Sequence, residues 1–192
     1  MKKMKELYLN SLKEFATPRN LTLCGLMCAL AIVLNLTVRI DLGNYIRISF
    51  SGLANRIVEF ILGPIIGCIF GAVTDILNFI VKPVGAFFPG FTFDKMLEGL
   101  IFGMILYKKP LSIPRVFSAQ LLVKLIINCG FNTLWMCVLY GQTVKAILPL
   151  RLVKNAIMLP IDTLITFLVL TAVAQILKQL NFQIVTEKNA NT

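Results

Sequence analysis

Lys124, Asn128, Asn132 and Trp135 follow one another at spacings of four, four and three inside the apolar run 116–139. Arg151, Lys154, Asn155 and Asp162 sit on the next apolar run, and Asp75 and Asn78 on an earlier one. Guanidinium and ammonium groups bind carboxylates. Amides and carboxylates match a donor–acceptor edge, and an indole stacks on a ring. None of these groups belongs against lipid. A charge at bilayer depth costs at least ~2.5–3.5 kcal/mol, so such residues face protein or a water-filled cavity. Their recurrence at helical spacing predicts a polar cavity inside a helical bundle, and such a cavity implies a bound solute.

The elements that carry them are membrane helices. The chain has 192 residues, 57% of them hydrophobic, and a mean hydropathy of +0.82. That excess marks an integral membrane protein. About 20 apolar residues span a bilayer, which leaves no room for a separate soluble domain. The expected class is all-α with six transmembrane helices: 21–38, 51–62, 64–80, 92–106, 116–140 and 149–177. Residues 1–19 form an interfacial tail, 20–178 the membrane domain and 179–192 a second tail. The run 23–36 reads as a first span rather than a removable signal peptide, because no small-residue cleavage site follows it. Met4, Tyr8, Leu12 and Phe15 repeat at helical spacing, so the first tail is either an amphipathic surface helix or a solvated end. Gly63-Pro64 and Gly141 punctuate the helices, Pro149 is expected in the first turn of the sixth, and 81–91 and 39–47 are expected as connections.

The net charge of +10 belongs to cytoplasmic loops rather than to a nucleic-acid surface. Basic residues gather in the first tail, between Lys108 and Arg115, and at Lys178 and Lys188. With six spans these share one face, so both termini are expected in the cytoplasm. Asp75, Asn78, Asp94, Asn132, Trp135, Arg151, Lys154 and Asn155 then fall in the outer halves of four helices, and the cavity opens outward. Arg47 lies on the same outer side. Phe91, in the Gly/Pro-rich segment with Phe87 and Phe88, is either an interface anchor or part of a lid. Trp135 fits either an interfacial belt or a ring stacked on a ligand.

Other chemistries are excluded or weak. The chain has no His and no phosphate-cradling GxxxxGK[ST] loop, so neither a Ser-His-Asp site nor ATP hydrolysis by that route is available. The five cysteines form no CxxC pair, so no metal site is expected. Asp94 and Glu98, with Lys95 between them, suit helix capping and an ion pair better than acid–base work. Arg56 and Glu59 suit an internal ion pair. No catalytic residue and no cofactor are expected. The glycines of GxxxGxxxG at 63–71 and of GxxxG at 99–103 suit close packing of two helices. Gly25 and Ala29 form a small-xxx-small pair that suits either internal packing or a groove for a partner helix.

The stretches ILGPIIGCIFGAVTDIL (61–77), FFPGFTFDKMLEGLIFG (87–103), NTLWMCVLYG (132–141) and LPLRLVKNAIMLP (148–160) resemble the S components of energy-coupling factor vitamin transporters, in particular the folate-specific ones. The likeness runs over roughly residues 20–178. It implies a cofactor-free six-helix subunit of a bacterial cell membrane that binds a vitamin from outside. Such subunits associate with a transmembrane coupling protein and two ATPase subunits, and are proposed to topple in the bilayer to release the vitamin inside. The resemblance maps the coupling-protein surface onto Gly25 and Ala29, with Gly in place of the usual first Ala. Folate offers a pterin edge, a benzoyl ring and two carboxylates, which the Asn/Asp, Trp/Phe and Arg/Lys sets match. Thiamine, riboflavin and pantothenate are the alternatives within the family. A small autonomous membrane enzyme or channel is the alternative outside it.

Overall fold

In a computed structural model of the chain, residues 17–37, 39–42, 46–49, 51–83, 85, 87–141 and 143–179 are described. Six helical stretches follow in order: α1 (Pro18–Thr37), α2 (Ser51–Leu62), α3 (Pro64–Val81), α4 (Pro89–Leu106), α5 and α6 (Val144–Gln179). Here α5 joins an α-helical turn set Ile113–Leu122, a π-helical stretch Val123–Phe131 and a final α-helical part Asn132–Tyr140. The first tail, read as either an amphipathic surface helix or a solvated end, lies outside the described residues up to residue 16, as does the polar tail from residue 180.

The expected polar connection after α1 is a two-stranded antiparallel hairpin, β1 (Arg39–Leu42) with β2 (Ile46–Ser49). The hairpin is confined to this connection, and the rest of the described fold is helical as expected. Ile40, Leu42, Ile46 and Ile48 alternate with polar residues, which is a strand pattern, and they pair Ile40 with Ile48 and Leu42 with Ile46.

Among the described residues, four helices are long and apolar enough to cross a membrane: Pro18–Thr37, Pro64–Val81, Ile113–Leu139 and Leu148–Gln179. The 12-residue α2 reaches only ~18 Å at 1.5 Å per residue. It is the core of the bundle instead. Its residues from Ala54 to Leu62 are all buried, and Val58, Phe60 and Leu62 pack with Ile66, Phe102 and Leu106. That enclosure explains how Arg56 and Glu59 are tolerated. Arg56 Nη1 donates to Glu59 Oε2 at 2.7 Å, and its other amine meets Glu98 of α4. Lys95 Nζ closes on Glu98 Oε2 at 2.7 Å, so two cations balance two anions. The Arg56 guanidinium also covers the Phe102 ring at 3.6 Å.

Glycines bring α3 and α4 together. A Cβ at Gly71 would stand 2.6 Å from the Lys95 carbonyl, and one at Gly99 would run into the Gly67 carbonyl. The GxxxG motifs are therefore an internal seam. Gly63, at φ 89, makes the turn that lets Pro64 start α3. Gly141, at φ 63, ends α5 in the left-handed region.

The sixth helix begins earlier than expected. Pro149 lies inside α6, as does Pro160. Each removes one backbone donor from the helix interior and crowds the carbonyl four residues before it, yet the helical backbone continues from Val144 through both.

Candidate functional site

The polar residues of α3, α4, α5 and α6 meet in a chain of contacts. Trp135 Nε1 donates to Asp94 Oδ1 at 3.0 Å, joining α5 to α4. Thr92 Oγ1 donates to Asp75 Oδ2 at 2.8 Å, joining α4 to α3. Arg151 Nη1 donates to the Asn128 carbonyl at 3.0 Å and to Asn132 Oδ1, joining α6 to α5. Asn155 Nδ2 lies 3.3 Å from Cys129 Sγ.

Aromatic rings line the same region. The Phe88 ring is 5.5 Å from Trp135 and 5.9 Å from Phe91. Phe131 stacks near-parallel to Trp135, with centroids 6.3 Å apart. Gly90 permits this closeness, since a Cβ there would stand 2.8 Å from Trp135 Cδ2. The segment before α4 thus folds onto the indole.

Two acceptors in this region are buried without a hydrogen-bond partner among the described residues: Asp94 Oδ2 and Asn78 Oδ1. A buried acceptor left unpaired costs about 1–3 kcal/mol, more if charged. Such atoms call for a further donor, which a bound solute can supply.

Of the residues singled out from sequence, Asp75, Asp94, Asn128, Asn132, Trp135, Arg151 and Asn155 enter these contacts. Phe91 joins through Phe88. Lys154 is partly buried, one helical turn after Arg151. Arg47 is placed only by its backbone, on β2 opposite Asp41. Asp94 does not cap its helix, because Phe88 holds the N-cap position; the Lys95–Glu98 ion pair does form.

Lys124 leaves the stripe it was read into. Its Nζ meets Asp162 Oδ2 at 2.6 Å on α6. The cause is the π-helical stretch, whose i→i+5 bonding widens the turn, so residues four apart no longer superpose. That geometry also lets the Asn128 carbonyl take Thr133 Oγ1 at 3.3 Å beside Arg151. Thr92, Phe88 and Phe131 were absent from the sequence-based set. The aromatic run before Pro89 was visible as a lid or anchor, but nothing in it paired Phe88 with Trp135.

Gly25 and Ala29 are exposed on α1, and a Cβ at Gly25 would meet nothing within 4 Å. They do not pack against the other described helices.

A family model described as "ECF transporter, substrate-specific component" matches residues 19–170. The chain belongs to this family. As an ECF substrate-specific component with several apolar helices, it is a multi-pass membrane protein. It is 36% identical over 122 residues to the folate transporter FolT of Clostridium novyi (strain NT), across 64% of this chain and 71% of that protein. It is 31% identical over 159 residues to FolT of Leuconostoc mesenteroides subsp. mesenteroides, across 79% of this chain and 84% of that protein. A crystal structure of FolT bound with folic acid superposes with a TM-score of 0.73 at 31% identity, covering 79% of this chain and 92% of the other.

Proposed function

We propose that this ECF substrate-specific component binds folate from outside the cell and delivers it across the membrane. The observation that carries the reading is Asp94 Oδ2, buried without a partner among the described residues, on a carboxylate held by Trp135, whose ring packs with Phe88 and Phe131; Asn78 Oδ1 on α3 is a second such acceptor. A pterin presents ring and amine N–H donors that fit such acceptors, and its flat face suits the aromatic wall. Arg151 and Lys154 receive the glutamate carboxylates by charge-assisted bonds. Asp75, Asn128, Asn132 and Asn155 shape the wall between them, and Phe91 and Arg47 lie at the outer rim. The similarity to proteins named for folate transport supports the same ligand.

In this reading residues 20–178 form one domain whose six helices traverse or fill the membrane, with tails 1–19 and 179–192 in the cytoplasm. Gly25 and Ala29 form the face on which the transmembrane coupling protein docks. Two ATPase subunits supply the energy, and this chain needs no cofactor. The test is calorimetry of the purified protein with folate. Dissociation in the sub-micromolar range, about −8 kcal/mol or better, is expected. No folate binding together with tight binding of thiamine, riboflavin or pantothenate would overturn the ligand and keep the fold.

A further inference from the structure

The turn between α4 and α5 concentrates positive charge that the described bundle does not balance. Lys109 and Arg115 lie within seven residues, and no carboxylate occurs between Glu98 and Asp162 in the sequence. The carboxylates of the described helices are engaged elsewhere: Glu59 and Glu98 with Arg56 and Lys95, Asp162 with Lys124, Asp75 with Thr92 and Asp94 with Trp135. Lys178 adds to the same end. Gln120 meets Thr166 and Lys124 meets Asp162, and that antiparallel register carried outward brings Lys178 level with the turn.

The turn holds its cations in place by backbone. Lys109 Nζ donates to the Met104 carbonyl at 2.7 Å, and Arg115 Nη1 donates to the Pro110 carbonyl. Burial, and then the charge of Arg115, push the Lys109 ammonium below its ordinary range. Both cations are tethered to backbone carbonyls at or next to one turn, and an anion there would offset their like charge. Directly beyond the turn, Ile113, Phe117, Leu121 and Leu122 expose an apolar ridge along the start of α5. A basic turn capping an exposed apolar ridge matches a molecule with an anionic head and hydrocarbon tails. An acidic peptide or a free anion would use the turn and leave the ridge uncovered.

We propose that Lys109 and Arg115 bind the phosphate of an anionic phospholipid, whose acyl chains lie along Ile113, Phe117, Leu121 and Leu122. The site is separate from the vitamin site and does not depend on which vitamin is bound. A cation near an anionic membrane surface strengthens binding about fivefold, so the two together give roughly thirtyfold.

The purified full chain in mild detergent, doped with equal phosphatidylglycerol and phosphatidylcholine, tests this by native mass spectrometry of the retained lipid. The wild type should retain phosphatidylglycerol over phosphatidylcholine by roughly thirtyfold. Raising sodium chloride should reduce the preference through screening. Lys109→Gln with Arg115→Gln should bring retention of the two lipids close to equal. Equal retention by the wild type, or an unchanged preference in the glutamine variant, overturns the proposal. Displacement of the lipid by inorganic phosphate, beyond that caused by chloride at the same ionic strength, assigns the turn to a free anion and also overturns it. Should the glutamine variant not fold, the charge-preserving exchange Lys109→Arg with Arg115→Lys decides: a kept preference supports the site, and a lost one refutes it.

Discussion

The indole of Trp135 fixes one oxygen of Asp94, and the other is buried without a partner among the described residues. This bond orients the carboxylate, and the rings of Phe88 and Phe131 in turn pack around the indole. Asp94→Asn can replace the acceptor Oδ2 with a donor, opposing a ligand N–H. A hydrogen bond to a charged group contributes about 1.5–3 kcal/mol, so folate affinity should fall roughly tenfold to a hundredfold by calorimetry. Trp135→Phe keeps a ring and loses only the bond, and its loss should be the smaller of the two. A larger loss for Trp135→Phe would give the indole, rather than the Asp94 carboxylate, the leading part in holding the ligand.

Arg151 is tethered to α5 through Asn128 and Asn132. If it also receives the glutamate end of folate, Arg151→Ala should weaken folate by roughly tenfold to a hundredfold. A pterin lacking the glutamate should lose much less. Equal losses for both ligands in parallel titrations would mean that Arg151 only braces α5 against α6.

The exposed pair Gly25 and Ala29 offers a flat place for an incoming helix. Gly25→Trp with Ala29→Trp should abolish folate uptake by cells and co-purification with the ATPase subunits, while the isolated subunit still binds folate. Uptake at the wild-type rate would place the docking face elsewhere. Joint loss of binding and folding would show that these residues serve the fold.

The α3–α4 seam has no room for a methyl group at Gly99, whose Cβ would strike the Gly67 backbone. Overpacking of this kind costs typically 1–3 kcal/mol. Gly99→Ala should therefore lower the melting temperature of the solubilised protein. Gly25→Ala, which adds a Cβ in open space, should leave it unchanged or slightly raised. A Gly99→Ala melt equal to wild type would mean that the two helices separate at little cost.

Much of the architecture was legible because apolar runs, Gly63-Pro64 and Gly141 are local signals. Hydropathy marks a helix that must lie in lipid, and a glycine or proline limits the backbone wherever the chain goes. The small-residue spacing also foretold the α3–α4 seam, since close helix approach depends only on missing side chains. The strand pattern from Ile40 to Ile48 was equally local, yet Arg39, Asp41 and Arg47 made it read as a polar connection.

Sequence alone determined that charged and amide side chains on four apolar segments had to face inward, because lipid cannot solvate them. It did not determine whom they would face. Helical periodicity assigned Lys124 to the stripe of Asn128 and Trp135, and only the π-helical turn and the approach of α6 gave it to Asp162. Likewise Asp94 and Glu98 suited helix capping and an ion pair; Glu98 takes Lys95, but Asp94 caps nothing and is held by the distant Trp135. Burial preference is a property of each residue and its neighbours in sequence. Pairing depends on the rotation and crossing of whole helices, which is set by packing across the bundle, so it was decided only in the tertiary structure.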